Sequence, residues 1–277
     1  YVPFNAVHSK VTGRKDLTDK YLKKGLNERF AEYASMIELL DQNVGKINQA
    51  LKDPNGDGDF SDDITNNTIF IFYSDNGGLL GNKPLTGKKG NLTEGGIRVP
   101  LIFRYPNVIA ENTVTHQAVH CIDFLTTLAE FTGADVSKLK KKDGSQPQYD
   151  GVSFASILKG EDKWLSRENL FWHLPGYMDQ RFSPSTVIQK RVGEDYYKLF
   201  YFYETEVFTM YHLNQDLSEK NNILENPTSK EIEIRKEAIQ SATKYATEVP
   251  LKVMKTAYES MEVMKDNTLP KHLELIV

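Results

Sequence analysis

Cysteine is nearly absent. Cys121 is the only one in 277 residues, which excludes an internal disulfide and says little about compartment. No apolar run approaches the roughly 18 residues that a membrane-spanning helix needs. A basic excess is missing too: 34 Lys and Arg against 38 Asp and Glu give a net charge of −4 and a pI near 5.9, which excludes a general nucleic-acid-binding surface. There is no internal repeat, no low-complexity tract and no visible secretory leader, so solenoid and linker architectures fall away. What remains, 39% hydrophobic and 26% charged residues, is the composition of an ordinary globular fold of one large or two modest domains.

The most informative segment is Tyr73-Ser74-Asp75-Asn76-Gly77-Gly78, which directly follows the apolar run Thr68 to Tyr73. Such a run, bounded by a glycine pair, reads as a strand buried on both faces of a parallel sheet. Open α/β sheets bind ligands beyond the carboxyl ends of their strands. A carboxylate and an amide oxygen there are hard donors, suited to Ca²⁺ or Mg²⁺ rather than Zn²⁺. Asp-Asn-Gly-Gly is equally good turn chemistry, and the hexapeptide alone leaves both readings open.

Around it the chain divides by texture. Tyr1 to His8 reads as a strand end opening into a loop. Glu28 to Lys52 is the clearest helix, with Phe30, Tyr33, Ile37, Leu40, Val44, Ile47 and Leu51 on one apolar stripe. The acidic loop that follows begins like an EF-hand, with Asp53, Asn55 and Asp57 at positions one, three and five, but Ile64 stands where the closing Glu belongs. Val99 to Arg104 reads as a strand. His120 to Phe131 reads as a helix capped by Gly133, with Cys121 in its core. From about residue 169 the pattern turns β-rich. Leu170 to His173, Thr186 to Lys190, Tyr196 to Tyr203 and Phe208 to Leu213 predict an antiparallel sheet, followed by a polar helix over Lys230 to Glu248 and a further stretch after Pro250.

Several ordered segments resemble the sulfatase family of the alkaline-phosphatase-like superfamily. The family's usual run is a strand, SDNGG, PLRGGKG, then WEGGIRVP. Here it stands as Ser74 to Gly78, Pro84-Leu85-Thr86-Gly87-Lys88-Lys89-Gly90 and Thr93-Glu94-Gly95-Gly96-Ile97-Arg98-Val99-Pro100, with Thr86, Lys88 and Thr93 departing from it. Ala6-Val7-His8, the 36–51 helix, Asp123 to Leu128 and Asp150-Gly151-Val152-Ser153 also match, so the resemblance covers nearly all of residues 1–223.

The resemblance implies an α/β fold: the C-terminal part of an alkaline-phosphatase-like parallel or mixed sheet flanked by helices over 1–165, plus a small α+β subdomain with an antiparallel sheet over 166–277. It implies a sulfuric ester hydrolase acting on a sulfated carbohydrate, with Asp75 and Asn76 as metal ligands for Ca²⁺ in preference to Mg²⁺. Lys89 would contact sulfate, His8 would contact sulfate and assist the leaving group, and Arg98 would support the loop. Phe171-Trp172-His173-Leu174-Pro175-Gly176-Tyr177 is similar to a segment of carbohydrate-acting sulfatases, so His173, Tyr177 and Arg181 are candidate substrate contacts. The family's nucleophile is a formylglycine made from the first residue of a Cys (or Ser)-x-Pro/Ala-x-Arg motif. Neither Cys121 nor any serine fits that motif, and the paired aspartates of the first strand are missing. The expectation is therefore a C-terminal piece, inactive alone, whose partner is the missing N-terminal part of the same domain. Family resemblance also implies export. A phosphate or phosphonate ester hydrolase of the same superfamily, and a non-catalytic binding module, stay open as alternatives, although phosphatases there favour Asp-His where this chain has Asp75-Asn76.

Overall fold

The computed structural model describes residues 1–174 and 183–248. In chain order the elements are α1 (Lys15–Lys23), α2 (Glu28–Lys52), β1 (Phe70–Tyr73), α3 (Glu94–Ile97), β2 (Leu101–Arg104), α4 (Phe124–Thr132), α5 (Ala155–Lys159), β3 (Asn169–Leu174), β4 (Ser185–Val192), β5 (Asp195–Phe202), β6 (Val207–His212) and α6 (Ser229–Glu248). They form two compact units. The first holds 1–74, 100–115 and 158–160; the second holds 75–99, 116–157 and 161 onward.

In the first unit, α2 starts where Asn27 caps it, the side-chain oxygen accepting from the Phe30 amide at 3.0 Å. Its buried residues are Ala31 and Ser35, one turn apart. Ser35 Oγ accepts from the Arg14 amide at 3.0 Å, and Lys20 reaches Glu38 at 2.7 Å, so α1 packs on a small-residue face. The expected stripe is divided instead: Phe30 and Ile37 are exposed, whereas Val44 lines a groove of about 480 Å³ with Asp41, Asn48, Lys52, Phe70, Ile102 and Arg104. Helical periodicity shows which residues share a face, but close helix approach here selected the small side chains rather than the bulky ones. The strand end expected at 1–8 is a turn, with no ladder partner among the described residues. The acidic loop folds on its own amides: Asp53 accepts from Gly56 and Gly58, Asn55 from Asp57, and Asp57 from Asp59.

β1 pairs antiparallel with β2, in register from Phe70↔Arg104 to Tyr73↔Leu101. The parallel pairing expected for this run is not found among the described residues, and all four β1 residues are half-buried rather than buried on both faces. An apolar run encodes burial, not direction; direction is fixed by the long excursion that brings Leu101 back beside Tyr73.

In the second unit, β3-β4-β5-β6 make a four-stranded antiparallel sheet, as the alternation and turns predict. Ile188, Tyr197, Leu199 and Met210 on one face pack against Ile234 and Ala238 of α6, with Phe171 and Phe208 around them. The other face carries Tyr196, whose hydroxyl accepts from the Ala118 amide at 2.9 Å, and Lys198. Asp123, fully buried before α4, takes Arg167 in a two-pronged pair at 2.6 Å and accepts from the amides of His120 and Val152. Gly133 closes α4 with φ +69°. Cys121 is exposed rather than core: it sits in the 3₁₀ turn before α4, which turns its side chain outward.

Candidate functional site

The site loop runs from Asp75 to Val99 within the second unit. Its backbone is folded tightly on itself. The Gly77 amide donates to Gly96 O at 2.9 Å, the Lys89 amide to Gly78 O at 3.0 Å, and the Gly95 amide to Thr86 O at 2.8 Å. Asn82 ties the crossing, its Nδ2 donating to Gly95 O at 2.5 Å while its Oδ1 accepts from the Gly78 amide at 3.2 Å. This approach needs residues without side chains: a Cβ on Gly77 would lie 2.0 Å from Gly95 O, and one on Gly96 would lie 1.9 Å from Asn91 O. The glycine pairs of the sequence are thus what lets the Asp75-Asn76 segment and Lys89 be held together by main chain.

Asp75 is exposed and Asn76 half-buried. Lys89 is half-buried whereas Lys88 is exposed, its amide donating to Asn91 Oδ1 at 2.8 Å. The loop therefore distinguishes two lysines that sequence alone leaves one slip apart. Arg98 donates to Glu94 Oε2 at 3.1 Å, a supporting contact of the kind expected for it. No group of three or more His, Cys, Asp or Glu in a metal-holding array occurs among the described residues. Asp75 and Asn76 fit Ca²⁺ in kind, as hard oxygen donors, but are only two of the roughly six to eight oxygens it takes.

His8 belongs to the first unit, where its Nδ1 lies 3.0 Å from Ser9 O and 3.2 Å from Ser9 Oγ. His173 shares its face of β3 with Phe171, the face turned to α6; Trp172 lies on the opposite face, with the His120 ring 5.9 Å away. The His173 Nδ1 is 2.8 Å from Thr186 Oγ1 and 3.0 Å from Tyr203 Oη, and those two hydroxyls also bond each other. Burial holds His173 below the ordinary imidazole pKa and pushes Tyr203 up to about 12. Tyr177 and Arg181 lie outside the described residues.

Three buried residues that tie the loop to β5 went unassigned in the sequence. Lys198, fully buried in β5, lies 2.9 Å from Glu94 Oε1 and 2.9 Å from Glu219 Oε1, and Glu219 Oε2 accepts from the Glu94 amide at 2.6 Å. The available signal was a lysine inside the run Tyr196-Tyr197-Lys198-Leu199-Phe200, since a charge in a buried strand requires a partner.

A tight glycine loop thus carries two oxygen donors and a half-buried lysine, groups able to meet a cation and an anion. Two family models match the chain. The model described as Sulfatase matches residues 1–134, and that described as N-sulphoglucosamine sulphohydrolase, C-terminal, matches residues 88–244. A sulfatase of Formosa agariphila is 50% identical over 244 residues, 84% of this chain and 43% of that protein. The N-acetylglucosamine-6-O-sulfatase of Bacteroides thetaiotaomicron is 26% identical over 69% of this chain and 31% of its own length. A solved 2-O GAG sulfatase shares the fold, with a TM-score of 0.54 at 20% identity over 88% of this chain and 46% of that one. The chain belongs to the sulfatase family. It spans less than half the length of these relatives.

Proposed function

We propose that this chain supplies part of the metal and sulfate site of a sulfuric ester hydrolase that acts on a sulfated carbohydrate. The observation that carries the reading is the loop in which the Gly77 and Lys89 amides fasten the Asp75-Asn76 segment and the lysine to one backbone. Asp75 and Asn76 would give two oxygens to Ca²⁺, which when bound supplies positive charge for the sulfuryl oxygens. Lys89 would balance the charge on the remaining oxygens, where a desolvated cation is worth most. His8 would deliver a proton to the departing alkoxide.

The donor count and the absence of a fitting nucleophile motif support a further segment of the same domain as the partner that completes the site. That segment would bring a formylglycine, which supplies covalent nucleophilic chemistry, the remaining metal carboxylates, and neighbouring strands that extend β1 and β2 into the parallel or mixed sheet. The boundary near 165 and export from the cytoplasm belong to the same proposal. No helix among the described residues is long and apolar enough to cross a membrane.

The carbohydrate substrate is supported by the names of the relatives that act on amino sugars and glycosaminoglycans. His173, Tyr177 and Arg181 would contact the sugar. In the longer protein, Asp75→Ala should abolish Ca²⁺-dependent sulfate release from both aryl and saccharide sulfates. His173→Ala should raise KM for a sulfated disaccharide by about tenfold, the worth of one good hydrogen bond, and leave aryl sulfate turnover alone. Full activity in Asp75→Ala would defeat the metal assignment, and an unchanged saccharide KM would remove His173 from the substrate site.

A further inference from the structure

We propose that Lys198, Glu219 and Glu94 form a buried positioning network that fixes the main chain carrying Asp75, Asn76 and Lys89. The inference rests on the reading of those three residues as the metal and sulfate site. Lys198 projects from the middle of β5 on the face away from α6, and its ammonium stands 2.9 Å from one oxygen of each glutamate. All three side chains are almost wholly buried. Arg98 is the second cation, on Glu94 Oε2 at 3.1 Å. Two positive and two negative charges therefore balance, with Arg98 half-exposed and the other three where an unpaired charge would be costly.

The network is attached to the site by main-chain bonds. Glu219 takes the Glu94 amide at 2.6 Å, and Thr86 Oγ1 donates to Ser218 O at 2.5 Å, so Ser218 and Glu219 hold the loop at two points. Gly95 and Gly96, immediately after Glu94, receive Asn82 Nδ2 and the Gly77 amide at 2.5 and 2.9 Å. Gly78, next along, receives the Lys89 amide at 3.0 Å. From Lys198 to Asn76 no link in this chain is longer than an ordinary hydrogen bond. Burial pushes the Glu219 carboxyl above its ordinary pKa, and Lys198 pulls the other way. Lys198 touches neither metal donor, so its part is to position them.

The test uses the longer protein. In Lys198→Met, Glu94 and Glu219 would lose the cation they share, and only Glu94 would keep one, Arg98. Amide hydrogen exchange at Gly77, Gly96 and Lys89 should then quicken by about tenfold or more. Ca²⁺ affinity, measured by calorimetry, should fall by about 10–100-fold, and kcat by about a hundredfold. Lys198→Arg should restore part of each. If Lys198→Met does not fold, the isosteric Glu219→Gln variant decides by the same three readings. A folded variant with unchanged exchange at Gly77 and Lys89 and unchanged Ca²⁺ affinity would overturn the inference. Asp75→Ala separates the two ideas: normal Ca²⁺ affinity there sinks the site reading, whereas quickened exchange in Lys198→Met still supports the network.

Discussion

Lys88 and Lys89 are chemically identical neighbours in different surroundings. Lys88 is exposed, where an ammonium is fully hydrated and its removal alters little. Lys89 is half-buried and its amide is fixed on Gly78 O. We expect Lys89→Ala to lower kcat for sulfate release by about 10²–10³-fold, the usual cost of one preorganised charge-stabilising group, and Lys88→Ala to stay within about twofold of wild type. Steady-state kinetics on an aryl sulfate check this, and equal losses would mean that the register across Gly87 to Gly90 is wrong. His173 is the second case at this scale. The proposed sugar contact stands on the face of β3 turned to α6 with its Nδ1 engaged by Thr186 and Tyr203, so the saccharide KM of His173→Ala decides its role. Its lowered pKa keeps it neutral at pH 7. By linkage, the stability it contributes is complete above the ordinary imidazole value and is lost as pH falls through the lower folded value.

At the scale of elements, legibility followed the range of the interaction. β3 to β6 were readable because period-two alternation and the Gly193 turn are local signals, and each observed strand lies within two residues of its expected ends. The limits of α2 were readable from its periodicity and the acidic loop after it. α1 was not foreseen, since its nine residues are mostly polar and only Leu17 is buried. The direction of β1–β2 pairing and the exposure of Cys121 were misread because both depend on partners distant in sequence. The site loop depends most on its glycines. A methyl on Gly96 would collide with Asn91 O and press on Lys88 O. Gly96→Ala should therefore cost about 1–3 kcal/mol of stability, the usual price of overpacking, and should depress sulfate release more than an exposed substitution such as Lys88→Ala. Urea unfolding gives the first quantity; a variant as stable as wild type would show that the loop yields where close packing is inferred.

At the scale of the molecule, the proposed metal and sulfate residues stand out as ordered motifs, because Asp75, Asn76 and Lys89 lie on one short stretch. The network that ties their loop to β5 does not: Lys198 meets Glu94 across 104 positions, and no local pattern announces such a pair. The family is settled while the catalytic unit is a proposal, because the chain covers 43% of its Formosa agariphila relative. Two oxygen donors are too few for a Ca²⁺ centre, so the activity of this chain should depend on the segment that completes the site. The decisive measurement is sulfate release from aryl and carbohydrate sulfates, with added Ca²⁺, by the 277-residue chain alone and by the longer protein side by side. Turnover is expected from the longer protein, lost in its Asp75→Ala variant, with none above background from the chain alone. Turnover by the isolated chain that Asp75→Ala abolishes would show that the chain needs no further segment.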